Sequence, residues 1–196
     1  MIYMPNNIRP NLAGDCPEIH PTALIDPSAQ IIGNVKIGEN VFVGPLAVIR
    51  ADERGPDGLV SPIIVGEEVN IQDGVIIHSH GGALVTIGPR TSVGHGAAIH
   101  GPCFIGPECF LAMRSTLYGA TLGASVWVGM AAMIMRTTIE THVYIQAGSV
   151  IRSPSDALDL RVVSSKEKQY MEKVWESSRR LREEYFRQRS YSGSDS

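Results

Sequence analysis

The sequence has few aromatic residues, few cysteines and no long apolar run. Aromatics make up 6% of its 196 residues, whereas glycine occurs 20 times. This composition disfavours a core of large rings and suits thin layers of β-branched residues, which pack well on pleated surfaces. No run approaches the about 18 apolar residues of a membrane span. The formal net charge of -3 favours neither nucleic acid nor an anionic membrane as a partner.

The three cysteines are Cys16, Cys103 and Cys109, an odd number without CxxC spacing. They indicate neither a disulfide framework nor a cysteine metal site. The N-terminal residues lack a basic start followed by a continuous apolar run, so we expect no secretory signal. The sequence therefore predicts a cytoplasmic protein.

An aliphatic residue recurs every six positions through most of the chain, with breaks at two loops and two one-residue slips. The series is Ile19, Ile25, Ile31, Ile37, Val43, Ile49, Val65, Ile71, Ile77, Ile87, Val93, Ile99, Ile105, Leu111, Leu117, Leu122, Val128, Ile134, Ile139, Ile145 and Ile151. A period of six matches neither an α-helix nor a simple strand. It predicts short strands that meet at corners, three to a coil, so that one coil takes about 18 residues.

The hexapeptide repeat resembles that of the left-handed β-helix proteins, and the handedness rests on that resemblance, because crossovers between parallel strands are usually right-handed. We predict an all-β fold, a left-handed parallel β-helix with a C-terminal α-helix. The expected parts are a lead-in over 1–18, the β-helix over 19–155, a helix over 164–189 and a disordered tail over 190–196. Ser164 and Glu167 form a candidate capping box for the helix. Its apolar stripe should pack along the solenoid or a neighbouring subunit. Cys103 and Cys109 occupy the small core position of their hexads.

Two breaks in the period, at 49–65 and 77–87, predict loops extruded from corners. Counting hexads across them places Arg50, His78 and His100 on one line, each one coil beyond the last. The same count places Asp73 beneath His95. Because neighbouring parallel strands lie ~4.8 Å apart, the imidazoles of His78 and His100 can reach one metal ion.

His95 lies at the third hexad position on the preceding face, so its side chain should point around a different corner. One chain is therefore not expected to close a site of three imidazoles. Two subunits packed side by side would close it, and three-fold symmetry would give three equal sites. His20 and His142 are expected to be ordinary surface or turn residues, and His80 lies off the stacked line.

Three segments carry a resemblance to the γ-class carbonic anhydrases. They are residues 49–53 (IRADE), 70–78 (NIQDGVIIH) and 95–102 (HGAAIHGP). The resemblance implies a homotrimer in which His78 and His100 of one subunit and His95 of its neighbour bind a metal. It also implies an inter-subunit ion pair between Arg50 and Asp73, with Asp52 at the same interface.

The same resemblance implies roles in the hydration of CO2 to bicarbonate by a metal-bound hydroxide. Gln72 would hydrogen-bond the metal-bound solvent, Asn70 would line the pocket and Glu53 would assist proton transfer. Three histidines suit Zn²⁺, and Fe²⁺ or Co²⁺ would also be accepted. Some relatives carry a glutamate proton shuttle where this sequence has Gly81. His80 is therefore an additional candidate shuttle.

Two other functions remain open. Hexapeptide acyltransferases share the β-helix and use a CoA donor, often with one catalytic histidine, and fold alone does not separate them from a metalloenzyme. The stacked histidine pair argues against that chemistry, which needs a single base. The other alternative is a non-catalytic scaffold stabilised by a metal.

Overall fold

The computed structural model describes residues 7–192, with side chains through Gln188. The described residues wind into 22 short strands, a 3₁₀ helix and a single long α-helix. The strands are β1 (Ile8–Arg9), β2 (Glu18–Ile19), β3 (Leu24–Ile25), β4 (Gln30–Gly33), β5 (Val35–Ile37), β6 (Phe42–Val43), β7 (Val48–Ala51), β8 (Ile63–Val65), β9 (Asn70–Ile71), β10 (Ile76–His78), β11 (Val85–Ile87), β12 (Ser92–Val93), β13 (Ala98–His100), β14 (Cys103–Ile105), β15 (Phe110–Leu111), β16 (Thr116–Tyr118), β17 (Thr121–Leu122), β18 (Trp127–Val128), β19 (Met133–Met135), β20 (Thr138–Ile139), β21 (Tyr144–Ile145) and β22 (Val150–Ile151). The 3₁₀ helix spans Pro154–Ala157, and α1 spans Ser165–Ser192.

Every third strand joins the same parallel sheet, so three sheets form the three walls of a left-handed β-helix. The first sheet has the order β1-β4-β7-β10-β13-β16-β19-β22. The second has β2-β5-β8-β11-β14-β17-β20, and the third has β3-β6-β9-β12-β15-β18-β21. The predicted fold class is confirmed. Among the described residues, no helix has the length and apolarity needed to cross a membrane.

The core is a set of columns made by the aliphatic residues of the repeat. Ile49, Ile77 and Ile99 pair directly across strands β7, β10 and β13, as the hexad count predicts, and all three are buried. Each coil adds one aliphatic layer, and the backbone hydrogen bonds run from coil to coil. Cys103 and Cys109 lie in this core, as predicted, and burial raises the pKa of both thiols, that of Cys109 to about 12. Neither thiol is set up for redox or ligand chemistry.

Both ends of the chain differ in detail from the sequence-based boundaries. The lead-in already contributes β1, which pairs in register with β4 and extends the first sheet. At the other end α1 continues to Ser192, so residues 190–192, expected in a disordered tail, are helical. The first helix-breaking residue after Ser164 is Gly193, which explains why the helix passes the expected end at Arg189. Residues 193–196 of the expected tail lie outside the described residues.

Helix α1 packs back along the outer face of the third sheet of its own chain. The predicted capping box forms, since the Ser164 amide donates to Glu167 Oε2 at 2.7 Å and the Glu167 amide donates to Ser164 Oγ. Trp175 Nε1 donates to the carbonyl of Glu68 at 3.1 Å, and Arg182 donates to Asn40 Oδ1 at 2.8 Å. These contacts fix the helix beside the strands that carry, or are followed by, four of the ten predicted site residues.

Candidate functional site

The structure divides the predicted site residues into two groups on different edges of the β-helix. We call the group at the ends of the first-sheet strands, with the loops that follow them, the strand-end cluster; it comprises Arg50, Asp52, Glu53, His78, His80 and His100. We call the group on and just after the third-sheet strands the helix-facing row; it comprises Asn70, Gln72, Asp73 and His95.

The strand-end cluster is centred on two stacked histidines. His78 pairs in register with Arg50 on one side and His100 on the other, which confirms the line expected from the hexad count. The imidazole centroids of His78 and His100 are 5.2 Å apart, with the rings edge to face. The two histidines are not close in the sequence, and the regular stacking of the coils brings their imidazoles together.

His78 is poised as a neutral ligand. Its side chain is only 14% exposed, and its Nε2 lies 3.4 Å from Glu53 Oε1 and 3.6 Å from Asp52 Oδ1. Neither contact has hydrogen-bond geometry, so this buried nitrogen has no hydrogen-bond partner. Burial lowers the pKa of His78, and the Arg50 charge lowers it further, against the opposing effect of Glu53. The neutral imidazole is the form that binds metals.

His100 has its two ring nitrogens in different surroundings. Its Nδ1 lies 3.1 Å from the carbonyl oxygen of Gly101, which can only accept a hydrogen bond. We therefore assign the proton of neutral His100 to Nδ1, which leaves the Nε2 lone pair free for a metal. Outer-shell hydrogen bonds of this type orient metal-binding histidines. His80 stacks on His100 with a centroid distance of 5.6 Å, so it lies in the same cluster although it is off the line.

Arg50 makes its ion pair within the chain. Its Nη1 lies 2.8 Å from Asp52 Oδ2 and 3.0 Å from Asp52 Oδ1. The carboxylate of Asp73, the partner implied by the family resemblance, lies instead 3.4 Å from His95 Nδ1. In the single chain Asp52 therefore holds the guanidinium, and Asp73 lies beside the histidine that it was expected to underlie.

The helix-facing row carries the amide side chains. Gln72 Nε2 donates to Asn70 Oδ1 at 2.6 Å and approaches Ser178 Oγ of α1 at 3.5 Å. Asn70 is 3% exposed, and its Nδ2 is buried without a hydrogen-bond partner. His95 and Asp73, by contrast, have side chains that are 51% and 53% exposed. The row thus ends in an open imidazole and carboxylate.

A cavity of about 690 Å³ lies between α1 and the third sheet and opens onto this row. His95 and Gln72 line it at one end, and Phe110, Trp127 and Tyr144 line its wall. These three aromatic residues are stacked on successive strands. The row therefore borders a mainly apolar space.

Among the described side chains, no group of three or more His, Cys, Asp or Glu residues is arranged to hold a metal ion. His95 follows a third-sheet strand, whereas His78 and His100 end first-sheet strands, so they occupy different edges. The donor set nevertheless fits a divalent metal, because His78 Nε2 is a buried nitrogen without a partner and His100 lies one coil away. A third ligand would have to come from outside this cluster.

Gly81, where some relatives carry an acidic shuttle, is fixed by close packing of two loops. A side-chain carbon at Gly81 would overlap the carbonyl of Arg54, and one at Gly55 would lie 2.9 Å from Gly82. The glycines let the loop after β7 and the loop after β10 lie against each other. A glutamate at this position does not fit the observed backbone.

Two neighbours of the site were not singled out from the sequence. Tyr118 pairs in register with His100, and their rings are 5.3 Å apart. The hexad count could have found it, because Leu117 lies one coil beyond Ile99. Ser178, which approaches Gln72, could not have been found this way because α1 lies outside the repeat.

Similar proteins agree with this fold. The family profile described as bacterial transferase hexapeptide (six repeats) matches residues 17–51. A carbonic anhydrase of Methanosarcina thermophila is 35% identical over 160 residues, which cover 72% of this chain and 62% of that protein. The carboxysome assembly protein CcmM of a Nostoc species is 34% identical over 178 residues, covering 86% of this chain and 31% of that protein.

Among solved structures, a hexapeptide transferase family protein from Anaplasma phagocytophilum superposes with a TM-score of 0.75 and 26% identity, covering 93% of this chain and 99% of the other. The chain spans less than two thirds of the length of the carbonic anhydrase and of CcmM. The repeat, the β-helix and these relatives together place the chain in the hexapeptide-repeat superfamily, in its γ-carbonic-anhydrase-like branch.

Proposed function

We propose that this protein catalyses the reversible hydration of CO2 to bicarbonate with a divalent metal shared between subunits of a homotrimer. The observation that carries the proposal is the pair of imidazoles, His78 over His100, in which the buried Nε2 of His78 has no hydrogen-bond partner. Such a nitrogen is costly to bury unless something binds it. The relative named carbonic anhydrase supports the same chemistry.

The proposed ligands are His78 and His100 of one subunit and His95 of its neighbour. Three neutral imidazoles suit Zn²⁺, and Fe²⁺ or Co²⁺ would also be accepted. When bound, such an ion supplies Lewis acidity that ionises water near neutral pH. Arg50, Asp52 and Asp73 would hold the interface. In the trimer Arg50 would pair with Asp73 of the neighbouring subunit, either in place of Asp52 or together with it.

The remaining roles divide between the two groups. Gln72 would orient the reacting water with its amide, and Asn70 would hold Gln72 through the 2.6 Å hydrogen bond while lining the pocket. Glu53 lies 3.4 Å from His78 Nε2 and is half exposed, so it would pass a proton from the site to solvent. His80, on the same side of the cluster, is a second candidate for this transfer.

The surface of the β-helix supports a partner subunit on the first sheet. The third sheet is covered by α1, and the second begins with an ion pair of Glu18 and Lys36 on its outer face. The outer face of the first sheet carries an uncharged column of paired residues, namely Gln30, Val48, Ile76, Ala98, Thr116, Met133 and Val150. Ile76 and Val150 are 52% and 51% exposed. An apolar face beside the incomplete site is what a second copy would cover.

Replacing His78 by alanine tests the metal and the activity together. His78→Ala should lose both bound zinc and CO2 hydration, measured by metal analysis and stopped-flow kinetics. His20→Ala is the matched control, because His20 is an exposed turn residue hydrogen-bonded to Thr22, and it should keep both properties. A His78→Ala protein that hydrates CO2 without metal would disprove the proposal.

Mixing two inactive variants tests whether the site is shared. His78→Ala and His95→Ala should each be inactive, but a mixed trimer has one interface at which an intact His95 meets an intact His78. Co-refolding should therefore restore activity in about one third of the sites of each mixed trimer. Mixing His78→Ala with His100→Ala should restore none, because both lie on the same side of the interface. Equal recovery in both mixtures would contradict a shared site.

Specific observations favour two alternative functions, each of which can be tested. The similarity to a hexapeptide transferase family protein and the apolar cavity beside α1 favour, as the second candidate, an acyltransferase with a CoA donor. Tight binding of acetyl-CoA by the metal-free protein, measured calorimetrically, would support it. The similarity to CcmM favours a metal-stabilised scaffold, which would bind zinc without hydrating CO2.

A further inference from the structure

Tyr118 continues the line of the two histidines by one coil. It ends β16, the strand next to β13, and pairs in register with His100 on the side opposite His78. Its ring centroid lies 5.3 Å from that of His100, with the planes 31° apart. His80 approaches the same imidazole from the preceding coil at 5.6 Å, with the planes 22° apart. The His100 ring is therefore packed between a stacked ring from the preceding coil and a tilted ring from the next coil.

Packing of the His100 ring between these neighbours limits its rotation, which affects how well a histidine can serve as a metal ligand. The final side-chain torsion of histidine is broad, so the ring turns easily unless it is packed. One hydrogen bond from Nδ1 to the Gly101 carbonyl, at 3.1 Å, leaves the ring free to tilt about that contact. A second ring across its face removes this freedom and keeps Nε2 directed away from Gly101.

Tyr118 is itself held in place. The guanidinium carbon of Arg136 lies 5.4 Å from the centre of the Tyr118 ring, within the range of a cation–π contact. The Arg136 amide also donates to the Tyr118 carbonyl at 2.8 Å, so the two residues are tied along the backbone as well. The brace thus extends from Arg136 through Tyr118 to His100.

We propose that Tyr118 is a positioning residue that holds the His100 imidazole in the orientation needed to bind a metal. The ring face makes the contact, so the aromatic ring is required and the hydroxyl is not. The inference rests on the proposed function in one respect, since its consequence for the protein is metal affinity. The orientation of His100 in the metal-free protein does not depend on that function.

Three substitutions test the brace in the full-length protein. Tyr118→Leu should weaken zinc binding about 10-fold, the lower end of what loss of an outer-shell partner costs. Tyr118→Phe should restore the affinity of the parent. Phe104→Leu is the matched control, because Phe104 is also a partly exposed aromatic residue on a strand but lies on the second sheet, away from both groups of site residues. It should leave zinc affinity unchanged.

Zinc affinity is measured by competition with a chelator, and the melting temperature of each metal-free variant is recorded beside it. A role confined to stability would lower the melting temperature of Tyr118→Leu without changing zinc affinity, and that result would overturn the proposal. Equal weakening in Tyr118→Leu and Tyr118→Phe would also overturn it. If Tyr118→Leu does not fold, Tyr118→Val replaces it, because β-branched residues suit strands.

Nitrogen-15 spectra of the imidazoles separate this proposal from the proposed function. In the metal-free parent, His100 should be a single tautomer protonated at Nδ1, and Tyr118→Leu should convert it to a mixture. If the parent binds no zinc, the proposed function fails, but these spectra still decide the role of Tyr118. An unchanged His100 spectrum in Tyr118→Leu would reject that role.

Discussion

The strand-end cluster and the helix-facing row are made by the same repeat. They differ in how many of their side chains are buried or paired within one chain. In the cluster, His78 is buried, His100 lies between two other rings, and the ion pair of Arg50 is satisfied locally. In the row, His95 and Asp73 are half exposed, and His95 Nδ1 lies 3.4 Å from the Asp73 carboxylate. One chain therefore organises the cluster, whereas the row ends in two half-exposed side chains that a second subunit would cover in the proposed trimer.

The largest expected effect comes from removing an imidazole on either side. His100→Ala and His95→Ala should both abolish zinc binding, measured by metal analysis of the purified protein, because each removes one of the three proposed ligands. In the metal-free monomer only His100→Ala should shift the imidazole signals of His78, since within one chain the His78 ring contacts His100 and not His95. If the imidazole signals of His78 shifted in both variants, the strand-end cluster and the helix-facing row would not be separate groups within one chain.

The next effect concerns the amide of the row. Gln72→Leu should lower kcat about 100-fold, as expected for loss of one preorganised hydrogen-bond donor, with zinc content unchanged. Gln146 follows its strand at the equivalent hexad position, four coils further on, and is exposed, so Gln146→Leu is the matched control. Stopped-flow kinetics with metal analysis would measure both variants. A fall in zinc content with Gln72→Leu would mean that the amide positions the ligands.

A smaller effect is expected in the core beneath the cluster. Ile99→Val removes one buried methylene next to His100 and should cost about 1 kcal/mol of unfolding free energy. Ile76→Val, on the outer face of the adjacent strand, should cost less in the metal-free monomer because Ile76 is 52% exposed. Denaturant unfolding at one fixed protein concentration would measure both, since assembly contributes to stability. If the Ile76 variant proved the more costly at concentrations where the protein assembles, that would sharpen the assignment of this face to an interface.

The smallest effect is at the start of α1, the element that covers the row. The hydrogen bonds from Arg161 and from Ser164 lower the pKa of Glu167 from 4.5 to about 2. A carboxyl with a lowered pKa stabilises the folded state above its unfolded value, and this stabilisation is lost as the pH falls from about 4.5 towards 2. Glu167→Gln should therefore remove a small acid-dependent component of stability, measured by melting temperature between pH 6 and 3.

In that experiment Glu184→Gln, an exposed substitution later in the same helix, serves as the control and should leave the pH profile unchanged. Identical pH profiles for Glu167→Gln and the parent would show that the capping contacts contribute nothing measurable in solution.

The register of the cluster was predictable because the repeat is nearly one-dimensional. Once the two loops are counted out, position in the hexad fixes which residues lie on one line, and Arg50, His78, His100 and Tyr118 all follow that rule. The partner of Arg50 was not predictable in this way. By the hexad count both Asp52 and Asp73 lie near Arg50, and only the side-chain positions show that Asp52 is its partner within the chain.

The sequence by itself determined the coil, its core columns, the stacking of His78 over His100 and the placement of Asp73 beneath His95, because a fixed period leaves one way to superpose successive turns. Only the tertiary structure decided that α1 lies over the third sheet, that Gly81 is closed against Arg54, and that His80 and Tyr118 enclose His100. Those outcomes depend on contacts between segments whose relative positions the repeat does not set. There, the shape and charge of the side chains determine which neighbours come into contact.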